Sequence, residues 1–540
     1  MRPACALLAF AALPATAQNP RPSPDPIPYD LVVSGARIID GTGRSAFRGD
    51  VGVRGGWIVS VTAPGALRSA ATKDRLNATG LVVSPGFIDV HSHTVPAISR
   101  PATRWNEGVI RQGVTTVLGG PDGHFAPDQI RATIAAVAEN GAGTNVAVYV
   151  GHNAIRRKVM GVAQRAPTAD EMTQMKALVK EGMELGAVGF STGLMYEPGM
   201  FSVTDEVVEL AKVVKPYNGI YDSHVRDPVR RFLWSDEEVL IIGERAGIPP
   251  KIGHEKAVGL ENAGKIRDVI KMVNAARARG IDAVTDQYPY DGAATSTITR
   301  IIVVPEDLKA APGFDLKAAL RDPATRARLK TSSENGIDGG FAWLKATGYT
   351  SMRVTTSPEQ PKLVGKYLSE LPRAAGRSEF DALADLIINS NQPVGITLGA
   401  VGEDDVRLLM VQPWNMIASD GAYADGTTEM QGHPRSTGTF TRVLGHYVRD
   451  VKLLKLEEAV RKMTSLPADY VGLRDRGRLV EGQAADLAVF DPATIADRST
   501  WSEPGKMSVG VHHVIVNGTF VLRDGKMAGT APGRYLRARR

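Results

Sequence analysis

Short apolar runs alternate with longer amphipathic stretches along the middle of the chain. The amphipathic stretches include residues 168–185, 207–214, 236–246 and 263–278. The apolar runs end near His93, Asp122, His152, Thr192, His224, His254, Tyr290 and Asp420. Eight strands that alternate with helices predict a parallel (β/α)8 barrel of the TIM type, an α/β fold, over residues 83–469.

One interval in this pattern is too long for a single connection between a strand and a helix. It runs over residues 303–392, between the last two predicted strands. We therefore expect an insertion with its own helices, placed where it could act as a lid.

The two ends of the chain share a different pattern. Residues 29–82 and 470–540 contain short β-type runs separated by glycines, and Asn517-Gly518 between two such runs is a strong hairpin signal. We expect both ends to build one small β-sandwich beside the barrel.

The first residues are typical of a secretory signal peptide. Arg2 supplies a positive charge, residues 4–13 form an apolar run too short to span a bilayer, and Ala15-Thr16-Ala17 fits a small-x-small cleavage site. A proline-rich leader follows at residues 18–28. This pattern predicts a periplasmic or secreted protein, and no later apolar run is long enough to span a membrane.

We expect the exported protein to be cleaved after Ala17 and to need no disulfide, because Cys5 is the only cysteine and lies in the removed segment. The mass of the exported protein, measured by mass spectrometry, checks this. An exported chain that still carries residues 1–17 would contradict it.

Composition narrows the chemistry. The chain has 540 residues, 43% hydrophobic and 23% charged, which is ordinary for a globular protein. Its net charge of +6 comes with no long basic stripe in the barrel segments, so we expect no nucleic-acid partner. Without a cysteine in the mature chain, any metal must be held by histidines and carboxylates.

A His-x-His pair is the first candidate site. His91 and His93 follow an apolar run and the turn Ser84-Pro85-Gly86. On a strand, residues two apart point to the same side, so the two imidazoles would face one space. Such a pair can bind a metal, although it can also be structural.

Three further residues strengthen the metal interpretation. His224, His254 and Asp420 each end a predicted barrel strand, and barrel active sites lie at that face. Four histidines and one carboxylate at one face suit zinc or a similar divalent ion.

These residues and the segments around them resemble the amidohydrolase superfamily, and within it the N-acyl-D-amino-acid deacylase (D-aminoacylase) family. The matching segments are GFIDVHSH at 86–93, GVTTV at 113–117, GFSTGL at 189–194, GHEK at 253–256, DQYPY at 286–290, ASDG at 418–421, HPR at 433–435, GTF at 438–440 and AADL at 484–487. The likeness covers about residues 29–535.

The resemblance implies hydrolysis of the amide bond of an N-acyl amino acid, in particular an N-acyl-D-amino acid, by metal-activated water. It implies one or two Zn²⁺ ions, with other divalent metals possible: His91 and His93 would hold one, and His224 and His254 the other. Asp420 would contact metal or water, act as the general base, and return the proton to the leaving amine.

The chain departs from the family at one place. Where the family has a bridging cysteine at the end of strand two, this chain has Asp122 in Gly119-Gly120-Pro121-Asp122-Gly123. Asp122 is either a bridge between two metals or an ordinary Asp-Gly turn residue. Strand four also lacks the lysine of hydantoinase-like relatives, since Phe190-Ser191-Thr192 stands there.

Five residues are candidates for substrate binding. Lys256 and Arg435 could pair with the substrate carboxylate, and Tyr196, Tyr288 and Tyr290 could donate hydrogen bonds to it or to the oxyanion. Each could instead be structural. We expect His152 at the barrel mouth, but not as a ligand.

Three alternatives remain open. A cyclic-amide hydrolase of hydantoinase or dihydroorotase type is disfavoured by the missing lysine, and a non-catalytic metal-binding relative by the presence of Asp420. A serine hydrolase is suggested by Gly189-Phe190-Ser191-Thr192-Gly193, but Pro198 follows too soon for the helix that this motif requires.

Overall fold

The structure of the chain is a computed structural model, and it describes residues 28–337, 340–399, 401–424 and 432–538. The predicted signal peptide at 1–17, and the predicted leader as far as residue 27, lie outside the described residues.

Eight parallel strands form a closed barrel. Their bounds are Phe87–Asp89, Val114–Gly119, Asn145–Val148 continued by Val150–Gly151, Gly189–Gly193, Ile220–His224, Pro250–Ile252, Val284–Gln287 and Asn415–Ile417. Each pairs in parallel with the next along the chain. A parallel bridge between Ser92 and Gly421 joins the eighth strand to the first. The predicted (β/α)8 barrel is therefore confirmed.

Helices cover the outside of the barrel. They are Val95–Ile98, Glu107–Ile110, Pro127–Asn140, His152–Met160, Ala169–Glu184, Thr204–Ala211, Phe232–Ala246, Ile266–Ala278, Glu403–Met410, Arg435–Arg442, Leu456–Met463 and Ser465–Val471, with a π-helical turn at Val443–Asp450. Short 3₁₀ turns lie at Pro121–Gly123, Gly199–Phe201, Lys212–Tyr217, Leu260–Asn262, Ile298–Ile301, Pro361–Leu363 and Leu368–Glu370.

The helix Ala169–Glu184 shows how the sequence sets such an element. It begins with a capping box: the Thr168 hydroxyl accepts from the Glu171 N–H at 3.2 Å, and the Glu171 carboxylate accepts from the Thr168 N–H at 2.7 Å. Met175, Val179 and Met183, four residues apart, are the buried face.

An insertion separates the seventh and eighth strands. It contains the antiparallel strands Thr295–Thr297, Val354–Thr356 and Gly395–Thr397, and the helices Glu306–Lys309, Leu316–Arg321, Pro323–Asn335, Trp343–Thr347 and Glu379–Asn389, around a hydrophobic core of its own. Its first and last strands lie outside the interval 303–392 expected from the sequence. These three-residue, threonine-rich strands are too short to show an apolar alternation.

Both chain ends build one nine-stranded sheet. The N-terminal strands are Tyr29–Ile38, Phe47–Arg54, Trp57–Thr62, Thr72–Asn77 and Val82–Pro85; the C-terminal strands are Leu487–Phe490, Val511–Val516, Thr519–Arg523 and Lys526–Met527. Val82–Pro85 joins the two ends, because it pairs with Tyr29–Ile38 on one side and Leu487–Phe490 on the other. The predicted β-sandwich is confirmed, and its sheet continues to Pro85, just past the expected boundary at residue 82.

Within the described residues, no helix is both long enough and apolar enough to cross a membrane.

Candidate metal centre

The predicted metal ligands meet at the carboxyl ends of the barrel strands. The first strand ends at Asp89, so His91 and His93 lie in the segment that follows it rather than on the strand itself. Two backbone hydrogen bonds across the barrel closure hold them beside Asp420: Asp420 N–H to His91 O at 2.8 Å, and His93 N–H to Gly421 O at 2.9 Å. The His91 side chain is completely buried, whereas that of His93 is 28% exposed and faces the barrel mouth.

A turn held by two hydrogen bonds with Ser191 places Asp122 at the centre of the site. Asp122 lies in the 3₁₀ turn Pro121–Gly123 with a φ of 57°. The Ser191 hydroxyl donates to the Gly120 carbonyl at 2.6 Å and accepts from the Gly123 N–H at 3.1 Å. Ser191 therefore supports this turn, and its use there, together with its full burial, argues against a role as a nucleophile.

The Asp122 carboxylate lies between the histidines. Its Oδ1 atom is 3.4 Å from His91 Nε2, 3.5 Å from His254 Nε2 and 3.9 Å from His224 Nδ1. Its Oδ2 atom is 3.5 Å from His93 Nε2. The resemblance paired His91 with His93, but in the structure His91 approaches the oxygen that also faces His224 and His254.

Asp420 joins the centre from the segment that follows the eighth strand. Its Oδ1 atom is 3.1 Å from His93 Nε2 and 3.7 Å from His91 Nε2, and its Oδ2 atom is 2.8 Å from Arg435 Nη1. Burial alone would raise the pKa of Asp420, but Arg435 and the histidines outweigh it and hold the pKa well below its ordinary value. Asp420 is thus a carboxylate at neutral pH.

Three of these residues have a left-handed backbone. The φ angles are 57° at Asp122, 38° at His254 and 48° at Asp420. Such a conformation costs a non-glycine residue on the order of 1–3 kcal/mol and persists only where the surroundings enforce it. Strained residues cluster at functional sites, and here they supply three of the predicted ligands.

The donor set fits a divalent metal. Among the described residues, both ring nitrogens of His91, Oδ1 of Asp122 and Nε2 of His224 are buried and make no hydrogen bond. Burial lowers the pKa of His224 and of His254, which favours the neutral imidazoles that bind metals. Within the described part of the chain, three groups have ligand atoms within 4.8 Å of one another: His91, Asp122, His254 and Asp420; His93, Asp122 and His124; and His91, Asp222 and Asp286.

Comparison with known proteins shows the family. A model of the amidohydrolase family matches residues 365–522. The chain is 35% identical over 541 residues to D-aminoacylase of Alcaligenes xylosoxydans xylosoxydans, covering 95% of this chain and 98% of the relative. The chain belongs to the N-acyl-D-amino-acid deacylase family of amidohydrolases.

Solved structures agree with this deacylase assignment. One is a D-aminoacylase whose binuclear metal centre shows one-metal activation and second-metal attenuation. The two chains have a TM-score of 0.75 and 32% sequence identity, and the match covers 94% of this chain and 100% of that one. Another is the N-acyl-D-glutamate deacylase from Bordetella bronchiseptica, complexed with zinc and a phosphonate that mimics the tetrahedral intermediate. Its TM-score with this chain is 0.75 at 33% identity, and the match covers 95% of this chain and 100% of that one.

Four of the five predicted substrate-binding residues of this deacylase lie around the centre. Lys256 Nζ is 2.9 Å from His254 Nδ1, and the Tyr196 hydroxyl is 3.2 Å from His224 Nδ1. The Tyr288 ring lies under both cations, 4.6 Å from the Arg435 guanidinium and 5.3 Å from Lys256 Nζ.

Two of the candidate tyrosines have other partners in the structure. The Tyr288 hydroxyl donates to the Ala293 carbonyl. The Tyr290 hydroxyl lies 3.3 Å from Asp497, and the Arg442 guanidinium covers its ring at 4.9 Å. Tyr290 therefore contacts the C-terminal segment and not the metal centre.

His152 is buried with its Nε2 atom 3.0 Å from the Glu206 carboxylate, and it belongs to none of the candidate ligand groups found among the described residues. His124 was not predicted as a site residue, yet its ring centre is 5.7 Å from that of His93. The buried charges Asp222, Lys251 and Asp286 beneath the centre were not predicted either. A signal for these was present, because charged residues inside apolar parallel strands are unusual.

Proposed function

We propose that this chain hydrolyses N-acyl-D-amino acids with a zinc centre. The observation that carries the proposal is the convergence of four imidazoles and two carboxylates on one point at the carboxyl face of the barrel, beside two cations. The relatives named above support the D-configured acyl amino acid as substrate.

The histidines divide between the two oxygens of Asp122. His91, His224 and His254 surround Oδ1, and His93 lies beside Oδ2 with His124 nearby. Nitrogen and carboxylate ligands without thiolate suit zinc and also other divalent ions. We propose that Asp122, together with these histidines, would hold one or two Zn²⁺ ions.

The metal would lower the pKa of a water molecule and polarise the amide carbonyl. Asp420 would take the proton of that water, since it is a carboxylate in the centre. It would then give the proton to the leaving nitrogen, which departs poorly without one.

Lys256 and Arg435 would pair with the substrate carboxylate. Arg435 also holds Asp420 at 2.8 Å, so it links the bound substrate to the proton shuttle. The Tyr196 hydroxyl, beside His224, would donate to the substrate carboxylate or to the developing oxyanion.

A panel of N-acetyl D- and L-amino acids tests the proposal. We expect kcat/KM to be higher for the D series, to be lost after metal removal with a chelator, and to return on addition of Zn²⁺. The matched L enantiomers are the control. Chelator-resistant hydrolysis would contradict the metal mechanism, and preference for the L series would contradict the substrate.

The other functions have less support. Among the described residues, strand four presents no lysine to the centre, which disfavours a hydantoinase-like cyclic-amide hydrolase. The buried, ionised Asp420 disfavours a non-catalytic metal-binding relative, because structure alone does not require a carboxylate there.

A further inference from the structure

Three charged side chains lie inside the barrel beneath the metal centre. Asp222, Lys251 and Asp286 come from the fifth, sixth and seventh strands, and all three side chains are fully buried. Lys251 Nζ is 2.8 Å from Asp222 Oδ1 and also contacts Asp286 Oδ2. We call these residues the buried triad.

The triad is unexpected for a barrel core. That layer is normally filled by branched apolar side chains, and burying charges is costly even when they are paired. Burial alone would lower the pKa of Lys251, but the two carboxylates outweigh it and raise the pKa well above its ordinary value.

Each carboxylate also reaches a metal ligand. Asp286 Oδ1 accepts from the backbone N–H of His254 at 2.6 Å, at the point where His254 has a left-handed φ of 38°. Asp222 Oδ2 faces His91 Nδ1 across 4.0 Å. This separation is longer than a hydrogen bond, so Asp222 acts on His91 through its charge, which favours a proton on Nδ1 and leaves Nε2 free for the metal.

Tyr149 completes the surroundings of the lysine. Its ring centre is 5.8 Å from Lys251 Nζ, and its hydroxyl donates to the carbonyl of Val90, the residue before His91, at 3.0 Å. The triad is therefore held on several sides.

We propose that Lys251, through Asp222 and Asp286, is a positioning residue that sets the tautomer of His91 and the backbone of His254 for metal binding. This rests on the proposed metal centre, but not on the proposed substrate. Lys251 fixes the two carboxylates, and the carboxylates fix the two ligands.

The test measures Co²⁺ binding to the full chain after a chelator has removed its metal. Visible absorption and metal analysis are the two readouts. We expect Lys251→Met to bind Co²⁺ about tenfold to a hundredfold more weakly than the wild type, the range for outer partners of metal ligands, with altered absorption bands. Lys462→Met is the matched control. Lys462 is equally buried but donates to the backbone carbonyls of Gln412 and Asn415, at the other end of the eighth strand.

If the triad acts only through stability, both lysine variants should lower the melting temperature and neither should change Co²⁺ binding. A folded Lys251→Met variant with wild-type affinity and spectrum would overturn the proposal. Should that variant fail to fold, the nearly isosteric Asp222→Asn decides, with the same expected loss and the same contrary result. A wild type that binds no Co²⁺ would instead refute the proposed metal centre itself.

Discussion

Replacing Asp420 with asparagine is expected to lower kcat/KM for an N-acetyl-D-amino acid by at least about a hundredfold, the usual scale for losing a general acid-base group. The variant should keep much of its metal, because the histidines and Asp122 remain and asparagine is nearly isosteric. Metal content and kcat/KM, measured on the same preparation, check this. Near-normal amide hydrolysis by a metal-replete variant would refute the proton-shuttle role.

An ester analogue separates a proton shuttle from a simple ligand. An amide nitrogen must be protonated to leave, whereas an alkoxide leaves more readily, so Asp420→Asn should harm the amide more than the matched ester. Loss of a metal ligand would harm both alike. Asp486→Asn is the control for losing a buried Arg–Asp pair, because Asp486 pairs with Arg476 in the β-sandwich, away from the centre. It should hydrolyse both substrates normally.

The sequence predicted the barrel well because its strands are buried on both faces. Val114–Gly119 and Asn145–Val148 are buried at every position and are rich in valine, so they appear as β-type runs in the sequence. His224 and His254 were found for a related reason, since each lies at the end of a predicted β-type run. A place at the end of a predicted strand is therefore enough to mark a residue as a candidate ligand.

The sequence could not show contacts that depend on the closure of the barrel or on a turn. Asp420 meets His93 only because the eighth strand returns to the first, more than three hundred residues later along the chain. The contact between the Tyr290 hydroxyl and Asp497 likewise joins residues that are far apart in the sequence. The triad is different, because each of its charges stands alone in its own strand and no sequence pattern links the three.

Asp122 offers the second large effect, and two substitutions distinguish a metal bridge from a turn residue. Asp122→Asn should keep the turn, because asparagine also tolerates a positive φ, but its neutral amide is a poor ligand. If Asp122 contacts the metal, the affinity of the protein for Zn²⁺ should fall by more than about a hundredfold. That is the upper end of the loss for a residue that contacts only a metal ligand. Equilibrium titration with Zn²⁺ measures this.

For Asp122→Cys we expect the opposite result, retention of the metal. A thiolate at this position can replace the carboxylate as a ligand, as the family's cysteine implies, so this variant should retain metal where Asp122→Asn loses it. With Co²⁺ it should also show a sulfur-to-cobalt charge-transfer absorption, which arises only if the sulfur touches the ion. Since Cys5 is the only cysteine of the chain and precedes the predicted cleavage site, no other thiolate in the mature protein could produce this band. Full metal retention in Asp122→Asn, with no such band in Asp122→Cys, would show that Asp122 shapes the turn and does not bind the metal.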